Sequence, residues 1–156
     1  MMNTHLSLDD RITISHMLSQ QCSFKQIALA AGKNCTSISR EVRNHIIFKK
    51  TGGYGRCYNA CLHRMGCSHS SLCPSCSSSR QKRCSFCEKC NSNCPDFVPQ
   101  YCPRLDKPPY VCNGCTDKQK CTLEKRFYHA ASTDKEYRDN VSSFLTRTER
   151  LRREEP

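Results

Sequence analysis

Residues 6–45 have the sequence LSLDDRITISHMLSQQCSFKQIALAAGKNCTSISREVRNH, in which apolar residues recur at helical spacing. A first helix is predicted to begin at Ser7, because the segment 7–10 resembles a capping box with aspartate in the place of glutamate. The apolar stripe predicted for this helix consists of Leu8, Ile12, Ile14 (or Ser15) and Leu18. One face of the helix is therefore expected to pack against the helices that follow.

Two more short helices are predicted on either side of Gly32. The second helix starts near Ser23 and ends at Gly32, because glycine adopts the left-handed backbone of a helix end without steric cost. Asn34 or Thr36 caps a third helix that runs to about His45. The residues predicted to face inward from these two helices are Phe24, Ile27, Ala28, Ala31, Ile38 and Val42.

The spacing of Ala28, Gly32 and Ile38 is typical of a helix-turn-helix. Two helices that cross closely need a small residue at the crossing, which is Ala28, and Ile38 fills the space from the third helix. Other three-helix bundles also use alanine and glycine at crossings, but the polar face of the third helix favours the helix-turn-helix. In that unit the start of the third helix meets base edges in the major groove of DNA.

Double-stranded DNA is therefore the predicted partner. Thr36, Ser37 and Arg40 are assigned to bases, because arginine binds guanine with two hydrogen bonds and hydroxyls reach bases or phosphates. Lysines and Arg43 are assigned to phosphates, with a merely solvated face as the alternative for Lys25 and Arg43. The complete set of predicted DNA-binding residues is Lys25, Lys33, Thr36, Ser37, Ser39, Arg40, Arg43 and Asn44.

The charge of the chain supports a polyanionic partner. The 156 residues carry a formal net charge of +11. Residues 1–50 have 7 lysines and arginines against 3 acidic residues, residues 51–130 have 12 against 5, and residues 131–156 have 6 against 6. The positive excess therefore lies in the first two thirds of the chain, where it favours contact with phosphates.

Of the 15 cysteines, 13 lie between Cys57 and Cys121. The N-terminus has no apolar core of a secretion signal, and no apolar run approaches membrane-spanning length, so a cytoplasmic protein without a membrane partner is expected. In a reducing cytosol, cysteines in short pairs are more often metal ligands than disulfides. An odd number of cysteines in this region also fits poorly with complete disulfide pairing.

The C-x2-C and C-x3-C pairs in this region predict zinc. Each pair puts two thiolates on one tight turn, and non-cysteine apolar residues are too sparse to fold the region alone. Two to three zinc ions are expected, and three ions with twelve thiolates lower the net charge of residues 51–130 to about +1. Spacing does not assign ligands to individual ions, and His63 or His69 is an alternative ligand in one site. The predicted ligands are Cys57, Cys61, Cys73, Cys76, Cys84, Cys87, Cys90, Cys94, Cys102, Cys112, Cys115 and Cys121.

An iron–sulfur cluster is the rival cofactor. The run from Cys84 to Cys94, followed by Pro95, matches the C-x2-C-x2-C-x3-C-P pattern of bacterial ferredoxins. Two-cluster ferredoxins need a second such run, which this sequence does not contain, and the surrounding residues are polar and basic. Zinc is therefore favoured over an electron-carrying cluster.

Residues 6–45 resemble the N-terminal module of insertion sequence 30 family transposases. The most specific part is SFKQIALAAGKNCTSISREVRNH at 23–45, although Cys35 stands where similar sequences often have proline or serine. A weaker resemblance extends through RLDKPPYVCNGC at 104–115 and then Cys121, so that the matched segments reach from residue 6 to about 130. The resemblance implies binding to the terminal inverted repeats of the mobile element.

Transposases of this family carry their chemistry in a downstream ribonuclease-H-like domain, where three acidic residues hold two divalent ions. The chain ends at Pro156, before such a domain would fit, so it is not expected to catalyse transposition by itself. It is expected to act as a truncated or split transposase, pairing with itself or with a separate catalytic chain. The alternative is a stand-alone zinc-dependent helix-turn-helix repressor.

A final helix is predicted to open with a capping box at Thr133–Glu136. Its incomplete apolar stripe consists of Tyr137, Val141, Phe144, Leu145 and Leu151. A solvated helix that packs loosely or pairs with a partner is favoured over a DNA contact. The predicted fold is therefore mainly α, with a three-helix helix-turn-helix domain at 1–50, a zinc-stabilised cysteine-rich loop region at 51–130 and a C-terminal helix at 131–156.

Overall fold

The computed structural model describes residues 5–73, 76 and 83–154, which divide into two units. The first unit contains residues 5–45 and 128–154, and the second contains residues 46–127. The α-helices in the described residues are α1 Leu8–Ser19, α2 Phe24–Ala31, α3 Cys35–Asn44, α4 Cys90–Asn93 and α5 Ala130–Glu154. The strands are β1 Ile47–Lys49 and β2 Lys125–Phe127, and two 3₁₀ helices span Cys84–Phe86 and Pro103–Asp106. The predicted mainly helical fold is confirmed.

The first two helices begin at reciprocal capping boxes. The Ser7 hydroxyl accepts a hydrogen bond from the Asp10 N–H at 3.1 Å, and the Ser7 N–H donates to the Asp10 carboxylate at 2.9 Å. Ser23 and Gln26 make the same pair of bonds at the start of α2, at 3.2 and 2.9 Å. Each box satisfies backbone donors that a helix N-terminus leaves free, which is why both predicted starts are confirmed.

A three-residue turn, 32–34, joins α2 to α3. Gly32 has φ +65°, in the left-handed region, and its N–H donates to the Ala28 carbonyl. The Asn34 side chain, one of the two predicted caps, accepts a hydrogen bond from the Ser37 N–H at 2.7 Å. The helix that follows ends at Asn44, as the sequence predicts.

An apolar core holds α1, α2 and α3 together. Side chains with an exposed fraction of 1% or less include Ile14, Leu18, Ile27, Ile38 and Val42. Burying each of these contributes about 1.5–3 kcal/mol to the free energy of folding. Phe24 and Ala28 are buried beside them, and Ala31 lies at the margin of the core.

The buried stripe of α1 runs through Arg11 rather than through Leu8 and Ile12. Leu8 and Ile12 are 41% and 51% exposed, so the predicted stripe is wrong at these two positions. Arg11 is 3% exposed, and its guanidinium donates to the carboxylates of Glu41 at 2.9 Å and Asp134 at 3.0 Å. Two carboxylates compensate for the lost hydration of the cation, which is why a charged residue occupies this interior position.

Helix α5 begins at Ala130, before the predicted capping box, so the predicted start is wrong. Thr133 and Asp134 are buried within the helix, and Asp134 contacts Arg11 instead of capping. This part of α5 packs against α1. Farther along, the exposed apolar side chains are Val141, Phe144, Leu145 and Leu151.

Turns and hydrogen bonds organise the second unit. Its antiparallel strands, which the sequence analysis did not predict, pair Ile47 with Phe127. The buried Asn59 side chain donates to the Ser85 carbonyl at 3.1 Å and accepts from the Cys61 N–H at 2.9 Å. The buried residues of this unit include Asn59, Ala60, Cys61, Ser85, Cys90, Leu105, Val111, Asn113, Thr122, Leu123 and Lys125. Most of them are small or polar, so this unit has little apolar burial to hold it.

Candidate functional site

The solvent-facing side of α3 carries the predicted base contacts. Thr36, Arg40 and Arg43 are exposed, and their spacing of three and four residues places them on one side of the helix. Ile38 and Val42, both 0% exposed, point the other way into the core. Packing through these two residues therefore fixes which side of α3 meets a ligand.

The single acidic residue of α3, Glu41, is turned away from that side. Its side chain is 10% exposed and accepts hydrogen bonds from Arg11 at 2.9 Å and from the Tyr128 hydroxyl at 3.0 Å. Burial by itself would lower the pKa of Arg11, but the hydrogen bond and charge of Glu41 raise it. Burial, followed by the charge of Glu41, raises the pKa of Tyr128. Thr36, Arg40 and Arg43 therefore present two cations and a hydroxyl to solvent, while the one carboxylate of the helix is held in an ion pair with Arg11, which offsets its repulsion of phosphate.

A groove of about 410 Å³ opens along α3 in the first unit. Four of the predicted DNA-binding residues line it, namely Lys33, Ser37, Arg40 and Asn44, and the ion pair of Glu41 with Arg11 lies in its wall. Tyr137 from α5 forms part of its wall. Among the described residues nothing forms a hydrogen bond or ion pair with the exposed Arg40 guanidinium, which leaves all its donors available to a ligand.

The remaining predicted contacts flank the groove or lie on neighbouring turns. Lys25 is exposed in the first turn of α2, where the backbone N–H groups of the helix also favour an anion. Arg43 is exposed and donates from Nε to the Ser39 carbonyl at 3.3 Å, one turn earlier in α3. Both positions suit contacts to the phosphate backbone rather than to base edges.

In the second unit, a cavity of about 200 Å³ gathers a first set of cysteines, Cys61, Cys67, Cys90 and Cys94. Cys61 and Cys90 are only 4% and 6% exposed. Burial is the main cause that raises the pKa of the Cys90 thiol to about 11, and the other three thiols raise it further. As thiolates these four side chains would repel one another, and a divalent cation bound between them would neutralise their negative charge.

A second set, Cys73, Cys76, Cys84 and Cys87, lines another cavity, which Cys90 and Cys94 also border. The Cys76 N–H donates to the Cys73 carbonyl at 3.1 Å, and the Cys87 N–H donates to the Cys84 carbonyl at 2.9 Å. Each C-x2-C pair therefore forms the tight turn that its spacing predicts.

Near β2 lies a third set, Cys102, Cys112, Cys115 and Cys121. The Cys115 N–H donates to the Cys112 carbonyl at 3.0 Å, which closes another C-x2-C turn. Burial raises the pKa of the Cys112 thiol, and the charges of the other three thiols raise it further. These four cysteines are therefore electrostatic neighbours, although Cys102 and Cys121 are far from the turn in sequence.

Cys67 lies among the cysteines of the first cavity and Cys57 does not, a difference that the sequence did not predict. Cys67 was not among the predicted ligands, because no cysteine lies two or three residues from it, yet it lines the first cavity. The predicted ligand Cys57 lies outside the three sets, and burial followed by the nearby Cys87 thiol raises its pKa. The spacing of the cysteines does not distinguish these two residues; only their positions in the folded chain do.

All 15 cysteines are free thiols. Throughout the described part of the chain, no three Cys, His, Asp or Glu side chains converge closely enough to hold a metal ion. The alternative ligands His63 and His69 are exposed at the first cavity, where His69 Nε2 lies 2.9 Å from the Asp96 carboxylate. The residue types and their turns fit zinc, while the thiols would have to rotate inward to reach one ion.

Comparison with known proteins supports the assignment of a helix-turn-helix at the N-terminal end of the helical unit. A family model described as a helix-turn-helix domain matches residues 3–45. None of the curated proteins and none of the solved structures matches the chain. The N-terminal part of the chain is thus a helix-turn-helix domain, and domains of this class bind DNA. No helix of the described residues is long and apolar enough to cross a membrane.

Proposed function

We propose that this chain recognises the ends of a mobile DNA element, as the DNA-binding part of a transposase. The observation that carries this proposal is the exposed side of α3, where Thr36, Arg40 and Arg43 face solvent while Glu41 is turned inward. The family model that matches residues 3–45 describes a domain that occurs in transposases. The resemblance of residues 23–45 to insertion sequence 30 family transposases points to the same activity.

In this proposal α3 lies in the major groove with its N-terminal half toward the bases. Arg40 binds a guanine through two hydrogen bonds, and Thr36 and Ser37 contact neighbouring base edges. Lys25 and Arg43 bind phosphates on either side of the groove and set the position of the helix. Affinity then depends on salt, whereas sequence preference depends on the residues near the start of α3.

Selection of binding sites from a randomised DNA duplex library, followed by fluorescence anisotropy with the selected duplex, tests these roles. Arg40→Ala is expected to lose about 1–3 kcal/mol of discrimination at one base pair. Arg43→Ala is expected to weaken all duplexes alike and to reduce the slope of log affinity against log salt by about 1. Lys135→Ala, which removes an exposed charge from α5, is the matched control and should leave sequence preference unchanged.

Equal weakening of selected and random duplexes by Arg40→Ala would contradict the base-reading role. The positions of the selected sequence in DNA then test the transposase proposal separately. Inverted copies at both ends of the element that encodes the chain support it. Sites confined to promoters away from any such element would favour the repressor alternative, without removing the DNA-binding role.

A further inference from the structure

We propose that the second unit binds three Zn²⁺ ions, each held by four thiolates, and that the fold of the unit determines which four cysteines bind each ion. The first site is Cys61, Cys67, Cys90 and Cys94, the second is Cys73, Cys76, Cys84 and Cys87, and the third is Cys102, Cys112, Cys115 and Cys121. Cys22, Cys35 and Cys57 take no part. This inference is independent of the proposed DNA target, because it concerns only residues 46–127.

Shared placement is the first argument for this division. One cavity is lined by the four thiols of the first set, and a second is lined by the four thiols of the second set together with Cys90 and Cys94. A tetrahedral zinc site takes four ligands, so Cys90 and Cys94 are assigned to the first cavity, where they complete a set of four, and the other four thiols of the second cavity form the second set. In three C-x2-C pairs the N–H of the second cysteine donates to the carbonyl of the first, so Cys73 lies close to Cys76, Cys84 to Cys87 and Cys112 to Cys115. Among the described residues no three of these thiols converge on one point, so zinc binding requires the cysteine side chains of a set to move toward one another.

Hydrogen bonds to sulfur supply a second, separate argument. Each set has at least one N–H group directed at a thiol: the His63 N–H lies 3.4 Å from Cys61 Sγ, and Asn93 Nδ2 lies 3.2 Å from Cys73 Sγ. In the third set the Arg126 N–H lies 3.5 Å from Cys112 Sγ. Outer donors of this kind orient metal ligands and disperse the negative charge of a tetrathiolate site.

The third set also has a cation beside it. The Arg104 guanidinium lies 3.9 Å from Cys115 Sγ and 3.3 Å from the Asp117 carboxylate. A zinc ion with four thiolates carries a net charge of −2, and an arginine at its edge reduces the cost of that charge.

Cysteine side chains, not histidines, complete the first site. His63 and His69 are exposed, and His69 lies 2.9 Å from Asp96, while Cys61 and Cys90 are buried at the centre of the same cavity. The choice of Cys67 over Cys57 follows from the cavity, which Cys67 lines and Cys57 does not. Cavity lining and turns assign the first two sets. In the third set Arg104, two residues from Cys102, lies 3.9 Å from Cys115 Sγ, and the Cys121 N–H donates to the carbonyl of Asp117, two residues from Cys115, at 3.0 Å.

Alkylation of the intact wild-type chain is the first test. The chain is purified without chelator, treated with N-ethylmaleimide under native conditions, and its modified cysteines are identified by mass spectrometry. Cys35 and Cys76 are both exposed, so burial alone predicts that both react fast. Ligation predicts that Cys35 reacts at once while Cys76 is protected until zinc is removed by a chelator. Equal and fast reaction of the two residues would overturn the second site.

Zinc counting by native mass spectrometry and elemental analysis is the second test. The wild-type chain is expected to carry three zinc ions, Cys67→Ser two and Cys57→Ser three. Loss of an ion by Cys57→Ser together with full occupancy of Cys67→Ser would overturn the first site. If Cys67→Ser fails to fold, the alkylation pattern of Cys57 and Cys67 in the wild-type chain decides the same question, since only Cys57 is expected to react.

Double variants test the division itself. Cys61→Ser with Cys94→Ser removes two ligands of one site and is expected to lose one ion, whereas Cys61→Ser with Cys115→Ser is expected to lose two. Equal losses in both would overturn the division. If the purified chain contains iron and absorbs visible light, the zinc proposal is overturned in favour of an iron–sulfur cluster. If it contains no metal and all twelve thiols react without protection, all three sites are overturned.

Discussion

The two units are held together by different means. In the helical unit the fully buried side chains are mainly large and apolar, such as Ile14, Ile27 and Ile38 at 0% exposure. In the cysteine-rich unit the buried side chains are mostly small or polar, and one of the least exposed is Asn59 at 2%. Apolar burial thus stabilises the first unit in plain solution, whereas the second depends on hydrogen bonds and, in our proposal, on metal.

This contrast suits what each unit is proposed to do. Reading a base edge needs side chains held on a rigid helix, and α3 is held by Ile38 and Val42, which are both buried in the apolar core. If metal ions hold the loop-rich unit together, as we propose, the folding of that unit depends on solution conditions, because metal binding depends on pH and on thiol oxidation. In our proposal the chain therefore combines a DNA-binding unit stabilised by apolar burial with a second unit whose folding depends on metal.

Removal of metal is expected to have the largest effect, because it should destabilise one unit and leave the other folded. A high-affinity chelator should abolish the amide hydrogen-exchange protection of residues 46–127, because their apolar burial cannot replace the ions. Residues 5–45 and 128–154 should keep theirs. Hydrogen-exchange mass spectrometry reports both units in one sample. Unchanged protection in 46–127 would show that this unit is stable without metal.

Truncating the core of the helical unit is the next largest test. Ile38→Ala is expected to lower the free energy of unfolding by about 2–5 kcal/mol, because it leaves a cavity between α2 and α3. Urea unfolding followed by helical circular dichroism measures this loss. The control is Leu29→Ala on α2, a residue that is 79% exposed, which should change stability by less than about 0.5 kcal/mol. Similar effects of the two would contradict the assigned core.

Neutralising Glu41 tests the polar part of the helical unit. Glu41→Gln is expected to cost about 1.5–3 kcal/mol of unfolding free energy, because Arg11 and Tyr128 lose a charged hydrogen-bond partner in a buried place. Glu136→Gln changes a carboxylate that is 58% exposed, and it should cost about 0–1 kcal/mol. Equal effects in the same urea titration would mean that burial of Glu41 is unimportant.

The smallest expected effect is at the turn of the helix-turn-helix. Gly32→Ala should cost about 1–2 kcal/mol, because alanine is strained at φ +65° even though no atom lies within 4 Å of an added Cβ. Gly32→Asn is the control at the same position, since it also adds a Cβ but asparagine adopts the left-handed region more readily than alanine, and it should cost less. Thermal unfolding of the two variants separates backbone strain from crowding. A neutral Gly32→Ala would argue against the left-handed turn.

Local patterns made the helix-turn-helix predictable. Capping at Ser7 and Ser23 and the left-handed turn at Gly32 each depend on residues within four positions of one another. The inward spacing of Ile38 and Val42 then defined the exposed side of α3, and with it the candidate DNA-binding residues. Because interactions of such short range depend on neighbouring residues, the sequence was enough to place Thr36, Arg40 and Arg43 on one exposed side of α3.

Long-range partners were not predictable. The apolar stripe predicted for α1 did not include Arg11, and only Asp134, which is 123 positions away, together with Glu41 explains its burial. The strands at 47–49 and 125–127 are too short to show an alternating pattern, and each is ordered by the other. The predicted start of α5 was wrong for a related reason, because Asp134 is needed in the interior.

The amino-acid sequence by itself determined the three short helices, the turn between the last two and the cysteine pairs that form tight turns. It did so because these features depend on backbone capping, φ preference and spacing along one helix. The tertiary structure alone decided which charged residues are buried and which cysteines share a cavity, Cys67 rather than Cys57 among them. Those choices depend on desolvation and on contacts between distant residues, which exist only once the chain has folded.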